Sequence, residues 1–342
     1  MKKILIIGAG AMGSAFSVPC VDNNNEVLLV GTFLENELIR SLKANNNFHP
    51  ALKINLPKQL VIERHDNLSK IIENGVDVIV AGISSIGIEW FANEISKFYK
   101  NKTSIIILTK GLAVEDDQLI TLSEKLENIL KKNGHKSANI SSVKGPCLAT
   151  GLAHKMRTGT VIANQNLKQA QKIQKLISTE YYKSEITDDI SGVEFSAAIK
   201  NIYSMLIGAA EGLSNPSAPA EIQEKFYLNT SASLVHRSIS EMVEFVSYYS
   251  GRVETVYGLA GLGDLHVSVA GGRNSMMGKY LGQGYLYKDA KENFMKEITV
   301  EGAQLAFEIE PKIMKNFKEK QFPLMFSILK CICYNKKLEI NW

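Results

Sequence analysis

The chain of 342 residues has no C-x-x-C pair, no H-E-x-x-H and no other spacing that gathers its 6 histidines or 4 cysteines into a ligand set. A structural metal site is therefore not expected. Without a disulfide framework, Cys20, Cys147, Cys331 and Cys333 suit a reducing, cytoplasmic setting. Blocks of basic residues are also missing: Lys131-Lys132 and Lys336-Lys337 are isolated pairs, and 39 basic against 35 acidic residues leave a net charge of +4. That balance argues against nucleic acid as a partner. No run approaches the roughly 20 apolar residues of a membrane span. Ile4–Ile7, after Lys2-Lys3, is too short for a secretory signal and is broken at once by Gly8 and Gly10. With 45% hydrophobic and 22% charged residues over this length, an ordinary globular chain of two domains is expected.

Glycine, by contrast, is concentrated where chemistry would be. Gly258 to Gly278 holds six glycines around one acid, Asp264, one arginine, Arg273, and one asparagine, Asn274. Such a run lets a backbone turn sharply and approach a ligand closely, and the isolated polar groups in an apolar frame suit a pre-formed site.

Residues 2–7 read as a fully buried strand, followed by Gly8-Ala9-Gly10-Ala11-Met12-Gly13 and the small-residue helix start Ser14-Ala15-Phe16. This is G-x-G-x-x-G between strand and helix. Gly8 would permit the turn, Gly10 the approach of a pyrophosphate, and Gly13 the close packing of helix on strand. The phosphates would rest on the helix N-terminus, contacting Ala11 and Met12 as well. The second strand, Glu26–Val30, ends at Gly31-Thr32-Phe33, without the acid that commonly meets ribose hydroxyls. Glu35 and Glu37 come late, and Arg40 and Lys43 later still. A missing acid removes one repulsion against a 2′-phosphate, so the reading leans slightly to NADP while NAD stays open.

Further strands are expected at Val76–Ala81, Thr103–Leu108, Ile140–Val143, Gly159–Ala163 and Glu185–Thr187, with a charged helix over Glu115–Lys132. Ser84 follows one strand end and would face the cofactor or cap a helix. Lys110 follows another, where open α/β sheets bind ligands, or is a surface lysine. The expected organisation is a Rossmann-type doubly wound sheet over residues 1–188, then an all-helical domain over 189–342. In the second domain Val193–Gly212 is one long helical pattern rich in small residues. Lys200 sits inside it with no acid at helical spacing, so it either snorkels outward or works in a cleft as an acid–base group. A loop is expected at 215–219 and helices at Leu228–Tyr249, Tyr287–Lys296, Thr299–Glu310 and Phe322–Tyr334.

Taken together, Gly8–Gly13, Thr109-Lys110-Gly111-Leu112, Gly145-Pro146 with Ala149, Ala198-Ile199-Lys200-Asn201, Gly258–Leu265, Arg273-Asn274 and Val300-Glu301-Gly302 resemble the NAD(P)-dependent glycerol-3-phosphate dehydrogenase family over nearly the whole chain. Glu180-Tyr181-Tyr182 and Gly271-Gly272-Arg273-Asn274 are most similar to archaeal-type members. The resemblance implies reversible reduction of dihydroxyacetone phosphate for glycerophospholipid synthesis, by a cytoplasmic enzyme that could form a homodimer. It implies Lys200 as proton donor and acceptor, with Lys110 and Asp264 at the reacting carbon. Arg273 and Asn274 would hold the substrate phosphate, with Gly145, Cys147, Asn201 and Ser268 at the substrate. Thr32, Ser84, Lys110, Ala149, Arg273 and Glu301 would border the dinucleotide. Three positions depart from the family pattern: Cys147 where many members have serine, Ser268 where threonine is usual, and Met12 where an aromatic residue is usual. They leave room for a longer polyol phosphate. Two other readings compete. β-Hydroxyacid dehydrogenases place an asparagine four residues after the lysine, whereas here position 204 is serine. A silent dinucleotide sensor would be expected to lack one of Lys110, Lys200, Asp264 or Arg273.

Overall fold

A computed structural model describes residues 1–100, 102–214 and 219–340; the loop expected at 215–219 falls, except for Pro219, outside them. The chain divides into two compact units, one of residues 1–110 and 121–190, the other of residues 111–120 and 191 onward. The second unit thus takes a ten-residue piece from within the first unit's sequence.

In chain order the strands are β1 (Lys3–Ile7), β2 (Glu26–Val30), β3 (Phe48–His49), β4 (Ile54–Asn55), β5 (Val61–Glu63), β6 (Val78–Ala81), β7 (Ser104–Ile107), β8 (Leu112–Glu115), β9 (Gln118–Thr121), β10 (Asn139–Lys144), β11 (Thr158–Ala163) and β12 (Tyr182–Thr187). Eight of them form the main sheet of the first unit, in the order β12-β11-β10-β7-β6-β1-β2-β5. Ile4, Leu5, Ile6 and Ile7 are wholly buried, as an unbroken apolar strand in the middle of a helix-covered sheet should be. Every neighbouring pair is parallel except β10 and β11, which run antiparallel, so β11 and β12 are reversed relative to the rest. The ends of β1 and β2 lie side by side, pairing Ile7 with Val30, and β6 flanks β1 on its other edge.

The helix expected over Glu115–Lys132 begins only at Leu122; β8 and β9 form a hairpin in its place. Asp116 and Asp117 both have positive φ, 47° and 64°, the backbone that a tight two-residue hairpin turn demands and that short acids tolerate. Their charge reads as helical surface in the sequence, but it serves the turn. Leu112 and Leu119 join the second unit's core, and Lys312 and Lys315 both pair with Asp117.

The second unit is built on the helix Ile190–Gly208, whose residues Gly192 to Ile207 are all buried. The expected single helix to Gly212 is interrupted at Ala209 and resumes at Ala210–Leu213. Around it lie Leu228–Tyr248, Val253–Tyr257, the π turn Leu259–Gly263, and the helices Asp264–Val269, Arg273–Gly282, Tyr287–Phe294, Glu301–Asn316 and Pro323–Cys333. The Gly258–Gly278 stretch is therefore mostly helix, and none of its glycines has positive φ. Its glycines act instead through contact: a Cβ on Gly278 would lie 1.8 Å from the Met205 carbonyl oxygen, and one on Gly261 would lie 2.0 Å from that of Val256. Close backbone approach was the right property, but the neighbour is the protein itself.

Glu241 supplies a second fixing point for the central helix. It accepts from Tyr203 Oη at 3.1 Å and from the N–H groups of Leu324 and Met325 at 2.8 and 3.0 Å, at the start of the helix Pro323–Cys333. Burial pushes its carboxyl upward in pKa, while the two N–H groups oppose that shift. Among the described residues, no helix is long and apolar enough to cross a membrane.

Candidate active site

In the first unit, the turn after β1 is shaped by two glycines, Gly8 and Gly13, that admit no substitute. Gly8 has φ +108° and packs on Gly82; a Cβ on Gly13 would stand 2.1 Å from the Gly8 carbonyl oxygen. The helix Ala11–Asp22 begins there with no side-chain cap, leaving the N–H groups of its first turn open to an anion. A Cβ on Gly10 would meet nothing nearer than Glu35 Oε1 at 3.6 Å, so the backbone lies open on that side. These features fit a dinucleotide pyrophosphate.

The backbone of Ala9 is held at both its N–H and its carbonyl. Its N–H donates to Glu35 Oε2 at 3.0 Å, and the same oxygen accepts from the Thr32 N–H at 2.7 Å. Its carbonyl accepts from Ser14 Oγ at 2.8 Å and lies 3.1 Å from His49 Nε2. Because the Leu52 N–H donates to His49 Nδ1 at 3.3 Å, the ring proton belongs on Nε2, which donates to Ala9. The acid missing from the end of β2 is thus present as Glu35, brought back by the turn over residues 32–35. Glu35 lies outside the usual interval, and His49, in the short strand β3, belongs to no motif of the sequence.

At the other expected positions, Ser84 makes no capping hydrogen bond and is exposed, whereas Thr109 Oγ1 donates to the Ile83 carbonyl at 2.8 Å. Lys110 donates to the Gly145 carbonyl at 3.4 Å, and Gly145 needs its freedom, with φ +135° and a Cβ that would lie 3.1 Å from Thr160 Cα. Met12, Lys110, Gly145 and Cys147 line one small cleft, and Ala149 opens the helix just beyond it. The sequence reading also passed over Lys144, a buried lysine ending β10, which donates to the Ile107 carbonyl at 3.0 Å and to Ser142 Oγ at 2.6 Å.

In the second unit, Lys200 is buried and turned inward. Its Nζ lies 2.9 Å from Asp264 Oδ1, with both side chains at most 4% exposed, and it also donates to Ser268 Oγ. The counter-charge absent from its own helix comes from the helix Asp264–Val269, where Asp264 and Ser268 stand four residues apart on one face. Beside them, Asn274 Nδ2 donates to Asn201 Oδ1 at 3.0 Å, and Asn274 Oδ1 accepts from the Gly302 N–H at 2.9 Å. Asn201 and Asn274 thereby link three helices. Arg273, half-exposed, pairs with Glu301 at 2.7 Å. The structure therefore gathers Lys200, Asp264 and Ser268 into one cluster and Arg273 with Glu301 into a second.

Gly13→Ala is expected to force the helix away from β1, because the atom it meets is backbone and cannot swing aside. NADH affinity should fall at least about tenfold. Fluorescence titration checks this, and unchanged affinity would contradict the geometry.

The family model for the N-terminus of NAD-dependent glycerol-3-phosphate dehydrogenase matches residues 3–170, and the model for the C-terminus matches residues 189–340. The NADP(+)-dependent glycerol-3-phosphate dehydrogenase of Archaeoglobus fulgidus is 33% identical, over 98% of this chain and 96% of its own. The glycerol-3-phosphate dehydrogenase [NAD(P)+] of Mesoplasma florum is 29% identical, over 97% and 95%. Among solved structures, the glycerol-3-phosphate dehydrogenase of Coxiella burnetii superposes with a TM-score of 0.81 at 24% identity, covering 98% of this chain and 96% of that one, and so has the same fold. With both halves matched and a relative at this identity along nearly its full length, the chain belongs to the NAD-dependent glycerol-3-phosphate dehydrogenase family.

Proposed function

We propose that this chain is an NAD(P)-dependent dehydrogenase interconverting dihydroxyacetone phosphate and sn-glycerol 3-phosphate. The observation that carries the reading is the buried Lys200–Asp264 pair with Ser268 beside it. Reduction of a ketone develops negative charge on its oxygen. A buried ammonium stabilises that charge and can hand over a proton from Nζ, and both effects are larger in a site screened from water. Asp264 holds the ammonium in place and balances it, and Ser268 accepts from another of its N–H groups. Bound in the glycine turn, the reduced nicotinamide dinucleotide supplies the hydride.

Arg273 is the candidate for the substrate phosphate. A guanidinium presents two parallel donors to a phosphomonoester, and its exposed pairing with Glu301 contributes little and is easily exchanged. Lys110 and Gly145 are candidates for contact with the substrate, and Cys147 lines the same cleft. The four free cysteines suit action in the cytoplasm, where the product would feed phospholipid backbone synthesis.

The test is oxidation of NADH and NADPH by dihydroxyacetone phosphate, with unphosphorylated dihydroxyacetone alongside. The phosphorylated ketone should react with a kcat/KM at least about 100-fold higher, the scale of a lost charge-assisted phosphate contact. Binding of both dinucleotides without oxidation by either ketone would overturn the reading.

A further inference from the structure

We infer that Lys144, at the end of β10, is a positioning residue for the dehydrogenase reaction and acts through Lys110. The inference rests on the reading above, in which Lys110 is a candidate for contact with the substrate. Strands β7 and β10 lie side by side and parallel, with Ile107 opposite Ser142, so the turns that follow them leave the same edge of the sheet. One turn carries Lys110 and the other Gly145. Lysines cross between the two in both directions. Lys144 Nζ reaches from β10 to the Ile107 carbonyl at 3.0 Å, and Lys110 Nζ reaches from beyond β7 to the Gly145 carbonyl at 3.4 Å.

The two ties are unequal. Lys144 is 3% exposed, and its ammonium also donates to Ser142 Oγ at 2.6 Å. Ser142 and Lys144 stand two residues apart on one strand and share a face of the sheet, so the lysine stem runs back along β10. Burying an ammonium is costly, and a methionine would fill the same space without that cost, so packing alone does not call for a lysine here. What the ammonium adds is direction. Charge-assisted bonds to one oxygen at the end of β7 and one inside β10 fix the gap between the two strand ends. The Lys110 contact is long for a hydrogen bond and only partly buried, and is readily exchanged for a substrate oxygen.

The rest of both turns is held independently. Thr109 Oγ1 donates to the Ile83 carbonyl at 2.8 Å, tying the Lys110 turn to the segment after β6, and the Cys147 N–H closes the other turn on the Gly145 carbonyl at 2.7 Å. Lys144 supplies the tie between them. It thereby sets the reach of Lys110 into the cleft shared with Gly145 and Cys147.

The test is a double-substitution cycle on kcat/KM for dihydroxyacetone phosphate, with Lys144→Met, Lys110→Met and both together. Lys144→Met should lower kcat/KM at least about tenfold in the otherwise unaltered chain. Once Lys110 is also replaced, the same change should cost less than about threefold, because residues that act through one another are not additive. Amide hydrogen exchange of the whole protein reads the same tie without turnover. In Lys144→Met the turns over residues 108–111 and 145–147 should exchange at least about tenfold faster, with residues 8–13 unchanged. Additive losses would overturn the inference, since a lysine with a merely structural role costs the same with or without Lys110. Unchanged kcat/KM or unchanged exchange in Lys144→Met would overturn it as well. Should that variant fail to fold, Ser142→Ala removes one of the two acceptors and is run through the same cycle. A loss of about threefold that vanishes beside Lys110→Met is then expected, and an additive loss would again overturn the inference. No turnover by the unaltered protein would sink the dehydrogenase reading and this inference with it, whereas turnover with an additive cycle would sink the inference alone.

Discussion

Lys200→Ala should lower kcat by roughly 10²–10⁴-fold, the usual contribution of a positioned acid–base group. Dinucleotide affinity should be unaffected, since the glycine turn belongs to the other unit. The variant also leaves Asp264 buried without its ammonium, and removing one member of a buried ion pair typically costs about 3–5 kcal/mol of stability. Lost activity alone would therefore be ambiguous. Lys200→Arg separates the two effects: it keeps the positive charge but cannot release a proton near neutral pH. Its melting temperature should stay nearer that of the unaltered chain than Lys200→Ala does, while its kcat remains depressed. Near-full kcat in either variant would remove Lys200 from the chemistry.

The second large effect is structural and comes from the glycine-rich stretch. Gly278→Ala would place a methyl group 1.8 Å from the Met205 carbonyl oxygen, on the backbone of the central helix. Backbone cannot rotate aside, so the helices Arg273–Gly282 and Ile190–Gly208 would have to separate, disturbing the anchorage of Asn274 and the setting of Lys200. A destabilisation of about 3 kcal/mol or more is expected, a fall of roughly 6–12 °C in Tm for a unit of this size. Gly271 lies in the same run but has no atom within 4 Å of its would-be Cβ and no positive φ. Gly271→Ala should leave Tm unchanged or slightly raised, through the smaller entropy of its unfolded chain. Equal effects of the two substitutions would show that the stretch is a flexible loop and that the helix contacts do not matter.

The contrast between those two glycines shows what the sequence could and could not reveal. Strand β1 and the turn after it were legible because an unbroken apolar strand, three spaced glycines and a helix start are all local signals. The long helix around Lys200 was legible from its small residues. Its partner was not, because the acid that meets it lies on another helix and only packing brings the two together. The hairpin of residues 112–121 was hidden because Asp116 and Asp117 look like helix surface until their φ values are known. Glu35 was hidden by counting residues along the chain, since a four-residue turn cancels the interval. In each case the missing information was a non-local contact or a sign of φ, neither of which periodicity encodes.

One measurement bears most directly on the central claim, that the Lys200–Asp264 site reduces a phosphorylated ketone at the expense of a nicotinamide dinucleotide. It is phosphorus NMR of dihydroxyacetone phosphate incubated with the protein and reduced dinucleotide. The account predicts that the substrate signal is replaced by that of glycerol 3-phosphate, mole for mole with the dinucleotide oxidised, and that Lys200→Ala leaves the substrate signal standing. An unchanged spectrum from the unaltered protein, with the dinucleotide bound and still reduced, would contradict it.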